Sequence, residues 1–237
     1  LPKVKIIKVT FSPQSFTPPD IPRLRAFLAK QFPEYSELHN HLVNGGFRMV
    51  YPDIQFKFIE NRPMIVGYGK GLQILTEVFQ KVNYFDLNHR RVDIPEKSIQ
   101  IVETQIGESG EMYRYSFLTP WMALNQDNYF VYQHLDFIER EVKLNRILWG
   151  NLRALAHAFG YWIPDPNKVD VRGDFNIRTG KFKGKTMLTF SGEFSVNFHI
   201  PDYLGLGKQT ARGYGTVVKS EDKRQNTKEK TISYAGF

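Results

Sequence analysis

The chain opens on an alternation of apolar and polar positions. In "KVKIIKVTF", Ile7, Val9 and Phe11 alternate with Lys8 and Thr10, the period of a strand with one buried face. A proline-rich loop, "SPQSFTPPD", follows, and the period then changes. Asp20 can cap a helix with Pro22 in its first turn, and Leu24, Phe27 and Leu28 recur at helical spacing until Pro33 interrupts. A short helical stretch from Glu34 onward ends at Asn44-Gly45-Gly46, residues that suit a helix C-terminus. Next, Ile54, Phe56 and Phe58 alternate with Gln55, Lys57 and Ile59. A turn at Asn61-Arg62-Pro63 and a second apolar run make this a β-hairpin. Leu72, Leu75, Val78 and Phe79 then share one face of a helix expected from Lys70 to Val82. Strand, helix, hairpin, helix and one further strand fit a ferredoxin-like unit.

A second half is expected from Lys97, dividing the chain into domains 1–96 and 97–237. "SIQIVETQI" and "MYRYSFL" read as its first strands. From Asp136 to Phe159, the residues Phe137, Leu144, Leu148, Leu152, Leu155 and Phe159 mark the core stripe of a long helix, which Gly160 ends. The period then returns to that of a strand. Val169, Val171, Phe175 and Ile177 alternate with polar residues. After a turn at Thr179-Gly180, the even positions Phe182, Leu188, Phe190, Phe194, Val196, Phe198 and Ile200 are apolar. This is an antiparallel sheet with one wet face, carrying Lys181, Lys183 and Lys185 close to Arg172 and Arg178. Those cations suit either plain solvation or contact with RNA. From Ser220 the chain is polar apart from "ISYAGF", as in a mobile tail or an added edge. The expected class is α+β.

Composition narrows the function. A hydrophobic fraction of 41% with 19 Phe and 12 Tyr in 237 residues supports a real core, which excludes a disordered chain. No apolar run has the length of a membrane span and no signal peptide opens the chain, so a cytoplasmic protein with no membrane partner is expected. The absence of cysteine excludes disulfides, thiolate metal sites and cysteine nucleophiles. A net charge of +8 with many aromatic rings fits a nucleic-acid partner, because cations neutralise phosphates while rings stack on bases.

Two of the six histidines, His39 and His41, lie together in "ELHNHLVNGGFRM". RNA transesterification needs a base for the 2′-hydroxyl proton and an acid for the leaving 5′-oxygen. Imidazole, with a free pKa of roughly 6.5, serves either role near neutral pH. On a regular helix, residues two apart point about 200° from one another. Both histidines therefore reach one phosphate only if the helix unwinds; otherwise one is catalytic and the other is a bystander. A metal site would need Glu34, Glu37 or a distant ligand, so none is expected. Of the others, His157 reads as structural, His89 as part of a solvated linker, and His134 and His199 as exposed.

The segment "PDYLGLGKQTARGYGTVV" sets Gly205, Gly207, Gly213 and Gly215 around Lys208 and Arg212. Glycines let backbone amides approach a phosphate, and the cations add charge. The segment lacks the Gly-Lys-Ser/Thr of a P-loop and the helix and distal acid of a dinucleotide site. In this position it resembles the C-terminal glycine-rich loop, here 204–215, of the CRISPR repeat-processing endoribonucleases of the RAMP superfamily. "YPDIQFKFIENRPMIVGYGKGLQIL" and "YRYSFLTPWMALNQDNY" resemble further parts of that family. The resemblance implies two tandem ferredoxin-like (RRM-like) domains, the first catalytic and the second RNA-binding. It implies metal-independent cleavage of CRISPR precursor RNA within repeats, leaving a 2′,3′-cyclic phosphate and a 5′-hydroxyl, with no cofactor. Lys30, His39 and His41 match the catalytic pattern of one archaeal branch, while Phe47 stands near where some members carry a tyrosine. CRISPR repeat RNA is the implied partner. A homodimer and contact with other effector-complex subunits stay open. Two rival readings are an inactive member that retains CRISPR RNA and an RRM-like RNA-binding protein outside CRISPR.

Overall fold

The structure is a computed structural model that describes residues 1–13, 15–39, 51–182 and 184–220. The first sheet is built from β1 (Lys3–Ser12), β2 (Ile54–Ile59), β3 (Arg62–Tyr68) and β6 (Glu96–Gln105), in the order β2-β3-β1-β6 with all neighbours antiparallel. Helices α1 (Ile21–Gln31) and α3 (Gly71–Lys81) supply its crossovers, with the short α2 (Ser36–His39) after α1. A small hairpin of β4 (Tyr84–Asp86) and β5 (Arg91–Asp93) precedes β6. The order is that of a ferredoxin-like unit.

The expected alternation in β1 holds: Ile7, Val9 and Phe11 are wholly buried, against Leu24 and Leu28 of α1 and Leu75 and Val78 of α3. Asp20 does not cap α1 with its side chain. It is buried, accepts from Thr17, and pairs with Arg23 and Arg90. The hairpin turn falls one residue earlier than expected, at Glu60-Asn61, which both have positive φ. Two such residues make the turn whose twist matches antiparallel strands.

The second sheet contains β7 (Gly107–Phe117), β8 (Val171–Phe182), β9 (Lys185–His199) and β10 (Val217–Lys219), in the order β10-β7-β9-β8. Helices α4 (Gln126–Gln133) and α5 (Phe137–Ala158) form its first crossover. Asp136 caps α5 through a reciprocal pair with Glu139, and Leu144, Leu148, Leu152 and Leu155 form its buried stripe. Phe137 departs from expectation at 82% exposure, because the first turn borders an open groove beside Phe175 and Ile177. The two halves thus share a strand order, and the fold is α+β with two antiparallel ferredoxin-like sheets.

Two sequence readings are corrected. Residues 97–105 do not open the second sheet. They are β6, paired along the length of β1 from Lys3↔Gln105 to Ser12↔Glu96. The chain does not turn at Thr179-Gly180: Gly180 pairs with Met187 inside the ladder, which continues to Phe182↔Lys185, and Gly184 takes the positive φ. The even positions of β9 are apolar as expected, with Phe190, Phe194, Val196 and Phe198 buried.

The halves share a hydrophobic core. The face of the first sheet turned away from α1 and α3 contributes Ile6, Met64, Val66 and Tyr68, which join Leu204, Leu206, Phe198 and Leu152. Tyr68 stacks on Phe159 with ring centroids 4.2 Å apart. Between β9 and β10, where a ferredoxin-like unit has its second helix, runs the glycine-rich segment, with only one short 3₁₀ turn at Thr210–Arg212. No helix among the described residues is long and apolar enough to cross a membrane.

Candidate functional site

The glycine segment is docked on β2. Gln55, Lys57 and the backbone at Phe56 form its seat. Gly205 donates its amide to Gln55 Oε1 at 2.9 Å, and Tyr51 donates its hydroxyl to the Gly205 carbonyl at 2.7 Å. Lys57 Nζ donates to Thr216 Oγ1 at 3.0 Å and to Gln55 Oε1 at 2.9 Å. At Gly213 a Cβ would stand 2.7 Å from the Phe56 carbonyl oxygen, and at Gly215 one would stand 2.0 Å from that of Leu206. Both glycines also take positive φ, of 86° and 65°, which other residues adopt only under strain. Glycine is therefore required here for close packing.

The loop amides have their own partners. Those of Gly205, Gly213 and Gly215 donate to Gln55, the Thr210 carbonyl and the Pro120 carbonyl, and that of Lys208 to the Met122 carbonyl. These glycines shape the loop rather than offer free amides. Gly207 lies against Trp121, where a Cβ would be 2.6 Å from the indole nitrogen. Trp121 is itself wholly buried, paired with the Phe190 backbone in both directions, and donates its indole N–H to Asn151. The segment "FLTPWMALN" is thus the floor of the loop. The side chain of Lys208 is exposed and that of Arg212 is half-buried.

The loop also comes within electrostatic reach of α1. Arg25 of α1 donates through Nε to the carbonyl of Leu38, the residue before His39 in α2, at 3.2 Å. Burial lowers the pKa of the Arg25 guanidinium below its ordinary value, and the like charge of Arg212 lowers it further. Arg25 and Arg212, one from each half, are thus within electrostatic reach of one another. Sequence reasoning passed over Arg25, which occupies a half-buried position on α1 with no local sign that a cation from the far end of the chain would act on it.

Lys30 is exposed in the last turn of α1. His39 is the last described residue of α2; its side chain, and all of His41 and Phe47, lie outside the described residues. Lys185 is exposed at the start of β9, across from Phe182. Lys181 lies on β8 with its side chain outside the described part, as is the whole of Lys183. Of the remaining histidines, the half-buried His199 bonds Tyr113 through Nε2 at 3.1 Å, and burial, then nearby Lys219, lower its pKa. His157 is exposed and packs on Trp162, His89 sits in the β4–β5 turn, and exposed His134 bonds the Phe130 carbonyl through Nδ1.

Comparisons with known proteins agree along the chain. Residues 2–105 match the Cas6b N-terminal domain and residues 107–220 the Cas6b C-terminal domain. An uncharacterized protein of Methanocaldococcus jannaschii is 35% identical over 118 residues, which is 50% of this chain and 80% of that protein. A crystal structure of Cas6b is 33% identical with a TM-score of 0.85, covering 92% of this chain and all of the other. A structure described as the CRISPR RNA processing endoribonuclease Cas6b is 32% identical with a TM-score of 0.74 over the same share. More distant Cas6 structures, such as a product complex at 13% identity with a TM-score of 0.58, share the fold. The chain belongs to the Cas6b family of CRISPR repeat-processing endoribonucleases.

Proposed function

We propose that this chain cuts CRISPR precursor RNA within its repeats by metal-independent transesterification. The 2′-oxygen upstream of the scissile phosphate gives its proton to a base and bonds to phosphorus. The bond from phosphorus to the 5′-oxygen breaks, and that oxygen takes a proton from an acid. The products are a 2′,3′-cyclic phosphate and a 5′-hydroxyl. His39 and His41 carry the two proton transfers, and Lys30 stabilises the extra negative charge of the phosphorane. Lys208 and Arg212 of the glycine loop hold backbone phosphates, joined by Lys181, Lys183 and Lys185. The first half is the catalytic domain and the second the RNA-binding domain.

The observation that carries this reading is the docking of the glycine loop, with its Lys208 and Arg212, on β2 of the first half. Cations on a loop held against the other half favour a phosphate between the two halves. The relatives described as CRISPR RNA processing endoribonuclease and as Cas6 product complex support RNA as the substrate. Purified protein is incubated in excess EDTA with its host's repeat RNA, unmodified or carrying one 2′-deoxy nucleotide immediately upstream of the cut. A single cut with a cyclic phosphate end is expected for the unmodified RNA only. Binding without any cut would favour the RNA-retaining alternative. A cut that survives the deoxy substitution would refute the 2′-hydroxyl mechanism.

A further inference from the structure

Lys57 is wholly buried, which is uncommon for a lysine, and among the described residues no carboxylate pairs with it. Its side chain leaves the face of β2 opposite to Phe56 and ends between two acceptors, Gln55 Oε1 in the first half and Thr216 Oγ1 in the second. The two donated bonds match the two N–H groups of a neutral amine; an ammonium would bring a third. Burial accordingly draws the Lys57 amine down from its ordinary 10.5 to about 7. The acceptor side is equally ordered. Thr216 is wholly buried and donates its own hydroxyl to the Gly213 carbonyl at 3.2 Å, so the lysine holds both ends of the last turn of the loop. Gln55 Oε1 takes the Gly205 amide at the loop's other end. An apolar residue would fill this space without the desolvation cost of an amine. What an apolar residue cannot supply is direction, and direction fixes where the loop lies on β2.

We propose that Lys57 is a positioning residue that bolts the glycine-rich loop of the second half to β2 of the first, so that RNA-holding and catalytic groups meet the substrate as one pre-set unit. The RNA part of this rests on the reading of the loop given under the proposed function. A loop already fixed pays no ordering entropy when RNA arrives, so loss of the bolt weakens binding more than it slows the step in bound RNA.

The test compares full-length wild type with Lys57→Met, Thr216→Val and Thr216→Ser. Methionine keeps a stem of similar length without the amine. Valine keeps the shape of threonine without the hydroxyl, and serine keeps the hydroxyl. Amide hydrogen exchange is followed in the RNA-free proteins, and single-turnover cleavage of cognate repeat RNA is measured against protein concentration. Residues 203–217 are expected to exchange about tenfold faster in Lys57→Met and Thr216→Val, with Thr216→Ser close to wild type. The half-saturating concentration should rise about tenfold while the saturated rate falls by no more than about threefold. Thr216→Val acts from the opposite half, so the test survives if Lys57→Met does not fold. Unchanged exchange over 203–217 in both variants overturns the bolt. Equal acceleration throughout β1, β3 and α3 also overturns it, since Lys57 would then be ordinary core support. Faster loop exchange with unchanged RNA half-saturation supports the bolt and overturns the RNA-holding reading of the loop.

Discussion

The two halves are built on one strand order and complete it differently. In the first, α1 and α3 both lie on one face of the sheet, and their stripes of Leu24, Leu28, Leu75 and Val78 close a core around Val9 and Phe11. In the second, α4 and α5 fill the first crossover, and a glycine loop replaces the second helix. A helix in that place would cover its own sheet and satisfy its own backbone. The loop instead divides its bonds: some stay in its own half, while Gly205 gives one to Gln55 and the loop accepts from Lys57 and Tyr51 of the other half. The loop that stands in for the helix therefore helps the shared core to join the halves, and it brings Arg212 within electrostatic reach of Arg25 on α1.

The two edges of the first sheet show the same contrast. In β2 five of six residues are buried, on both faces. In β6 Ile99, Ile101 and Val102 are all exposed, although β6 is the longer strand. Only the β2 edge is covered by the loop.

The largest expected effect comes from breaking the loop's fit. Gly215→Val combines a positive φ with a Cβ 2.0 Å from the Leu206 carbonyl oxygen. It should cost about 3 kcal/mol or more in unfolding free energy, measured by denaturant titration. A loss below about 1 kcal/mol would mean that the loop packs loosely. A smaller effect is expected from its cations. Lys208→Ala with Arg212→Ala should weaken repeat-RNA binding about tenfold and flatten the dependence on salt, because fewer counterions are released. An unchanged affinity and slope would take the loop out of the RNA site.

A pH slope sharpens the comparison from the first half's side. Unfolded, Lys57 keeps its proton up to about pH 10.5; folded, it releases it near 7. Between those values the unfolded chain binds more protons, so stability contributed by this site rises with pH. Below about pH 7 both states are charged and the full burial cost applies. The unfolding midpoint of wild type, relative to Lys57→Met, should climb from pH 7 to pH 10. A flat difference would mean that Lys57 is charged in the folded protein throughout.

These contrasts also explain what was legible in the sequence. Local patterns gave β1, the helix over 71–81, and α5, because each is decided by neighbours a few residues away. The β8–β9 turn was misplaced because Thr179-Gly180 and Gly184 are both plausible turn glycines, and only strand pairing chooses between them. Residues 97–105 carry the right alternation for a strand, but alternation does not name a partner, and β1 lies almost a hundred residues away. Gln55 and Lys57 read only as the positions that alternate with Ile54, Phe56 and Phe58 in a hairpin. They are buried by residues more than 140 positions later, which no local period can report. The glycine loop was found by its composition, while the reason for its glycines, close packing on β2 and Trp121, needed the fold.

The central claim is a division of labour, in which the first half acts on the phosphate and the second holds the RNA. It is tested most directly by measuring binding and single-turnover cleavage of cognate repeat RNA side by side for His39→Ala, His41→Ala and the Lys208→Ala/Arg212→Ala pair. Loss of a general acid or base typically costs about 10²- to 10⁴-fold in rate. The account predicts that loss for the histidine variants with affinity near wild type, and weakened binding with a nearly normal saturated rate for the loop pair. A slow rate in only one histidine variant would leave the other as a bystander on a regular helix. Wild-type rates in both histidine variants, or a loop pair that binds normally but cuts slowly, would contradict the division.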